Sequence, residues 1–313
     1  STGYNALFDR IGVLAETHML KTYADRVNAT FHLMLATLAT MNEHPQELRA
    51  ARKQAKAYTA SMEELGLNWE LDTTVVEDLP WKGYAASMEP SKVSGLLRLR
   101  YDHARPVDTM VPWMDAYRPS VVKQKPAAYL VPKQWSAVIE RLEASGVKLE
   151  RLDKDTRLAV EQDSIGAFTS VQQPYEGHYL HRGVQGSTVR TEVMAHAGDV
   201  LVRLGQPTDR YVMETLELTS EDGFFAWNFF DSRLQQKEWF SDYVFEDIAA
   251  DLLEKDPTLK AALMARRKAD PAFAADAWAQ LLFVYQRSPY FEKGYRHYPV
   301  LRVVTLPAEL RGR

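Results

Sequence analysis

The chain is 313 residues long, 26% charged and 46% hydrophobic, with 15 Gly and 15 Pro, a composition that supports a large core and excludes disorder, collagen and coiled coil as the dominant state. Lys and Arg number 38 against 42 Asp and Glu, a net charge of −4 without a dense basic cluster, which argues against nucleic acid as a partner. No window approaches the roughly 18 uninterrupted apolar residues of a spanning helix, so no membrane partner is expected, and with no Cys there is no disulfide framework, thiolate metal site or cysteine nucleophile.

In chain order, Ser1-Thr2-Gly3-Tyr4 lacks an initiator Met, which suggests a stretch cut from a longer polypeptide. Ile11-Gly12-Val13-Leu14 is a short, partly β-branched run before Ala15-Glu16-Thr17-His18, and it predicts a buried strand with polar residues at its end. The period then changes. Leu20, Tyr23, Val27, Phe31, Met34, Leu38 and Met41 follow three- and four-residue spacing, which predicts a helix over 23–42 whose stripe packs back on that strand. Pro45 opens a second helix over 45–65, stopped by Gly66, and a boundary is expected there.

From Asn68 to about Val122 short alternating segments separated by prolines predict antiparallel strands. Residues 127–132 read as a strand, 134–144 as a helix and 147–152 as another strand, a strand-helix-strand unit. Further alternating segments run to Leu204, and from Phe224 the pattern turns helical, through 245–253 and 276–285. The fold class expected is mixed α/β: residues 1–66 hold a terminal strand and helix, and residues 67–313 a β-rich region with a helical tail.

Glu16 and His18, two apart on a predicted strand, share a face. A carboxylate at the end of a buried strand suits a general base; the competing reading is a Glu paired with a basic neighbour. His44-Pro45-Gln46-Glu47 has a His-x-x-Glu spacing, but two ligands do not make a metal site, and His44 reads equally as an N-cap before Pro. His178 and His181 are three apart on a predicted hairpin strand and diverge unless a bulge intervenes. Phe224-Phe225-Ala226-Trp227-Asn228-Phe229-Phe230 reads either as core or as a platform for sugars or peptides. Phosphate loops, nucleophile elbows and complete metalloprotease helices are absent from the sequence.

The segment Ser1-Thr2-Gly3-Tyr4, with residues 11–21 (Ile-Gly-Val-Leu-Ala-Glu-Thr-His-Met-Leu-Lys) and Tyr23-Ala24-Asp25-Arg26-Val27, resembles the last part of the catalytic domain of zinc carboxypeptidases of the carboxypeptidase A type, in a bacterial branch. Tyr129-Leu130-Val131-Pro132, Tyr175-Glu176-Gly177-His178, Trp227-Asn228-Phe229-Phe230, Arg287-Ser288-Pro289-Tyr290 and Tyr298-Pro299-Val300 resemble the C-terminal extension of that branch. The resemblance implies that Glu16 is the general base, that Tyr4 covers a peptide substrate, and that zinc belongs to the intact parent. The family's zinc ligands lie upstream of its catalytic glutamate, so the chain by itself is expected to hold no zinc and to be inactive. The stripe of the first helix is then expected to be left partly exposed at Leu20, Tyr23, Val27, Phe31 and Met34. The alternative reading is a non-catalytic β-rich module from Asn68 onward that binds peptide or glycan, with Trp227 at its centre.

Overall fold

The computed structural model describes residues 2–310. The fold is mixed α and β, as expected, and divides into two compact units: residues 2–62 with 126–310, and Glu63–Lys125. The single boundary expected at Gly66 therefore falls inside a strand rather than between units.

The first unit opens with α1 (Thr2–Ala6) and a turn in which Asp9 adopts a left-handed φ of 53°. Phe8 is buried, stacked on Tyr211 at 5.0 Å, and the Asp9 carboxylate accepts from the buried Thr59 hydroxyl at 3.0 Å. Residues 10–18 form no regular structure. The strand expected at 11–14 is thus corrected: Ile11, Val13 and Leu14 are exposed. A four-residue apolar run becomes a strand only where another strand pairs its backbone groups, and none does so here.

Next, α2 (Tyr23–Glu43) begins where expected. Thr22 caps it, accepting from the Asp25 amide at 3.3 Å and donating to the Asp25 carboxylate at 2.7 Å, a reciprocal arrangement that fixes the helix start. After His44, Pro45 fills the first position of α3 (Pro45–Ser61), where its missing N–H costs nothing. The expectation that the α2 stripe packs on a strand is also corrected, because α2 has no buried residue. Leu20 is 83% and Tyr23 80% exposed, and Val27, Phe31 and Met34 are exposed too, the five positions at which a helix without its neighbouring sheet was expected to lie open.

The second unit pairs β1 (Glu64–Leu71) with β4 (Tyr117–Gln124), and β2 (Glu77–Pro90) with β3 (Leu97–Trp113), all antiparallel. Leu65 and Leu67 are buried on β1, whereas no residue of β2 or β3 is buried.

The first unit resumes with β5 (Ala128–Val131), α4 (Ser136–Ala144), β6 (Glu150–Arg151), β7 (Thr156–Ile165), β8 (Thr169–Ser170), β9 (His181–Arg182), β10 (Gly186–Ala195), β11 (Val200–Arg203), α5 (Asp209–Leu216), α6 (Asp242–Lys255), α7 (Pro257–Ala269), α8 (Pro271–Ala274), α9 (Ala277–Tyr285) and β12 (Leu301–Val303). Six strands form one sheet in the order β10-β7-β12-β5-β11-β6. Because β11 runs antiparallel to both β5 and β6, those two are mutually parallel, so the expected strand-helix-strand unit exists with β11 inserted between its strands. All four residues of β5 are buried, as a central strand covered on both faces requires. One face carries Ala128, Leu130, Leu158, Val160, Leu201, Leu301 and Val303 as a single cluster.

Phe224–Phe230 is a run of turns, not the start of a helix. Asn228 there adopts a φ of 55°, a conformation a helix cannot continue through. Beyond it α6 to α9 enclose a separate core of Phe245, Leu259, Leu263, Phe273, Phe283 and Tyr285. Asp256, Asp270 and Asp276 cap α7, α8 and α9 through backbone amides, and Pro257 and Pro271 follow two of them at the first helical position.

Candidate functional site

Glu16 lies in the irregular segment and is exposed, so it shares no strand face with His18, whose Nδ1 accepts from the Leu20 amide at 3.2 Å. Two hollows flank this segment. One, of about 390 Å³, takes in Thr17, Tyr23, Arg26 and Phe31. The other, of about 810 Å³, is lined by Ile11, Val13, Thr37, Met41 and Leu48 together with Arg10 and Arg52. Glu16 lines neither. The larger groove joins apolar walls to two guanidinium groups, a combination that suits an apolar ligand bearing a carboxylate.

Tyr4 sits on α1 with its ring 5.0 Å from Phe8 and 6.2 Å from Tyr211, and its hydroxyl is 3.5 Å from that of Ser145. These contacts seat α1 on Tyr211, while Tyr4 stays 47% exposed. The Tyr211 hydroxyl is raised above its ordinary pKa, chiefly by burial.

His44 occupies the N-cap position of α3 without a side-chain capping bond, and lies 3.5 Å from Glu47 with both side chains exposed. Among the described residues there is no group of three or more His, Asp or Glu that could hold a metal. His178 and His181 take different partners. His178 bonds Asn228 at 2.7 Å and stacks on Phe229 at 5.4 Å. The turn before it, Tyr175 to His178, has positive φ at both Glu176 and Gly177, the signature of a primed hairpin turn.

His181 forms a constellation that the sequence did not reveal. Its ring is buried between Phe168 at 4.7 Å and Phe225 at 5.0 Å; Nδ1 meets the Ser170 hydroxyl at 2.9 Å and Nε2 the Asp231 carboxylate at 2.8 Å. Such a chain can pass a proton between hydroxyl and carboxylate, but here it ties the β8–β9 hairpin to the turn at Asp231. The partners are 11 and 50 residues from His181, so no local spacing signals them. The aromatic run mostly follows its core reading: Phe224, Phe225 and Phe230 are buried, while the Trp227 indole donates to Asp222 at 2.6 Å.

Deeper in the sheet, Glu217 is buried and accepts from the Tyr129 hydroxyl at 2.5 Å and from Arg302. Arg302 also bonds Glu161 at 3.2 Å. Burial, reinforced by Glu217, pushes the Tyr129 hydroxyl far above its ordinary pKa. The arrangement is a buried ion pair, and it acts on stability.

No helix among the described residues is long and apolar enough to cross a membrane. Part of the chain is similar to known carboxypeptidases. It is 29% identical over 102 residues to a probable carboxypeptidase 2 of Arthroderma benhamiae, covering 33% of this chain and 19% of that protein. It is 29% identical over 104 residues to carboxypeptidase 2 of Trichophyton tonsurans, covering 33% and 19%, and 28% identical over 106 residues to carboxypeptidase 2 of Trichophyton rubrum, covering 34% and 20%. The chain spans about a fifth of the length of these curated relatives. No protein-family model matches it, and no solved structure does.

Proposed function

We propose that the chain is part of a metallocarboxypeptidase: residues 1–66 close its catalytic domain, Glu16 is its general base, Tyr4 covers the substrate, and residues 67–313 form a C-terminal extension. The observation that carries this reading is the similarity of a third of the chain to fungal carboxypeptidases. The substrate class is a peptide with a free C-terminal carboxylate. Zinc has no ligand set among the described residues, so on this reading it belongs to the rest of the polypeptide, and the contribution of this chain is confined to proton transfer and substrate coverage. Glu16 would accept a proton from the attacking water and pass it to the leaving amine. The open face of α2, together with Ile11, Val13 and Leu14, is the surface that the remainder of a catalytic domain would cover, placing a water-excluding wall beside Glu16.

The full reading frame that encodes the chain tests the proposal. It must contain a His-x-x-Glu and a later His upstream of Ser1, and its product must release the last residue of a peptide with a free C-terminus while leaving the C-terminally amidated peptide intact. An upstream frame without those ligands, or cleavage that ignores amidation, refutes it.

A further inference from the structure

The ribbon formed by β2 and β3 has a feature that the carboxypeptidase reading does not use. β2 is 14 residues and β3 17 residues long, a ribbon of about 45 Å at ~3.3 Å per residue, and none of these residues is buried. A two-stranded ribbon on its own is marginal in water. The register shifts between Tyr84 and Ala85, and beyond that bulge the two faces separate by chemistry. One face carries Glu89 opposite Arg98, with Arg98 and Arg100 both bonded to Glu89 at 2.8 and 3.2 Å. The other pairs Ala86 with Tyr101, Met88 with Leu99 and Pro90 with Leu97, with no charged side chain on it. At the tip Val93 is 98% exposed.

We propose that this uncharged face of the β2–β3 ribbon is a homodimer surface, packed face to face on the same face of a second copy of the chain. Three observations favour a second copy. In a two-fold interface every residue near the axis meets its own equivalent, so charges there oppose like charges; this face has none, whereas the opposite face carries Glu89, Arg98 and Arg100 as an ion-paired group. The area is also substantial. Met88, Leu97, Leu99 and Tyr101 are all more than half exposed, and at roughly 100 Å² each they supply about 400 Å², to which the exposed Ala86 and Pro90 on the same face add, against the ~800 Å² per partner of a standard interface. Finally, Pro80 and Pro90 on β2 and Pro106 and Pro112 on β3, with the bulge, blunt both edges of the ribbon against edge-to-edge pairing, which leaves the face.

The chain contains no cysteine, so a single introduced one reports only contacts between copies. Light scattering on the size-fractionated chain at tens of micromolar should give a dimer, and the Met88→Glu, Leu99→Glu double variant a monomer with unchanged far-ultraviolet circular dichroism. Under mild oxidation Leu99→Cys should become a covalent dimer on a denaturing gel, whereas Arg100→Cys on the opposite face should run as a single chain there. A wild-type monomer, a dimer that survives the double substitution, or equal cross-linking from positions 99 and 100 overturns the proposal. None of these outcomes depends on peptidase activity, so it fails separately from the carboxypeptidase reading.

Discussion

Replacing Glu217 by Gln should destabilise the first unit sharply. The carboxylate is 1% exposed and holds the Arg302 guanidinium, whose side chain is 11% exposed, together with the Tyr129 hydroxyl. The amide oxygen of Gln can still accept from Tyr129, but the substitution removes the negative charge that Arg302 meets at this position, while Glu161 stays beside the guanidinium. Breaking a buried pair on one side costs about 3–5 kcal/mol. The surviving Glu161 contact puts the expectation near the lower end, about 3 kcal/mol, a large share of the 5–15 kcal/mol typical of domain stability. With a slope of about 2 kcal/mol per molar urea, the unfolding midpoint should fall by roughly 1.5 M. Adding Arg302→Met to Glu217→Gln should recover part of the loss, since the stranded cation is then gone. A single-variant loss below about 0.5 kcal/mol would show that the pair is solvated and that the reasoning from its burial is wrong.

The Glu214 carboxyl is raised above its ordinary value by burial, against the lowering effect of the hydrogen bond from Ser220. The folded state thus holds this proton more tightly than the unfolded chain, so the contribution is complete below the unfolded pKa of about 4.3 and is lost as pH rises through the folded value; urea midpoints from pH 4 upward should show less of this decline in Glu214→Gln. Asp256→Ala removes the cap that accepts from Thr258 and Leu259 and should cost about 1 kcal/mol in thermal or urea unfolding. Hydrogen exchange of the chain should be fast over Tyr23–Glu43, which has no buried residue, and slow over Ala128–Val131, all of which are buried; equal protection of the two would mean that α2 is covered in solution.

The elements that the sequence made legible are those whose signals are local. The helix expected over 23–42 follows from its apolar period, and the start of α3 from Pro45. The strand at 11–14 failed because an apolar run states only that burial would be favourable; the pairing partner that makes it a strand lies elsewhere in a sequence. The short helix α5 escaped notice because its eight residues make little more than two turns, too short a window for a helical period to stand out. At the run of aromatic residues, composition favoured the core and the structure agrees for Phe224, Phe225 and Phe230, but no period could foretell the left-handed Asn228. Glu16 was singled out by position and resemblance alone. The Ser170–His181–Asp231 chain and the ion pair at Glu217 were invisible because each joins residues tens of positions apart through tertiary folding.

The most direct test of the carboxypeptidase reading is the rate at which the product of the full reading frame releases a C-terminal residue, measured for wild type and Glu16→Gln with bound zinc quantified in both. The amide is nearly isosteric with the carboxylate but cannot take up the proton. The account predicts that turnover falls by several orders of magnitude while zinc content stays the same. A Glu16→Gln protein within tenfold of wild type would remove Glu16 from the mechanism and contradict the account.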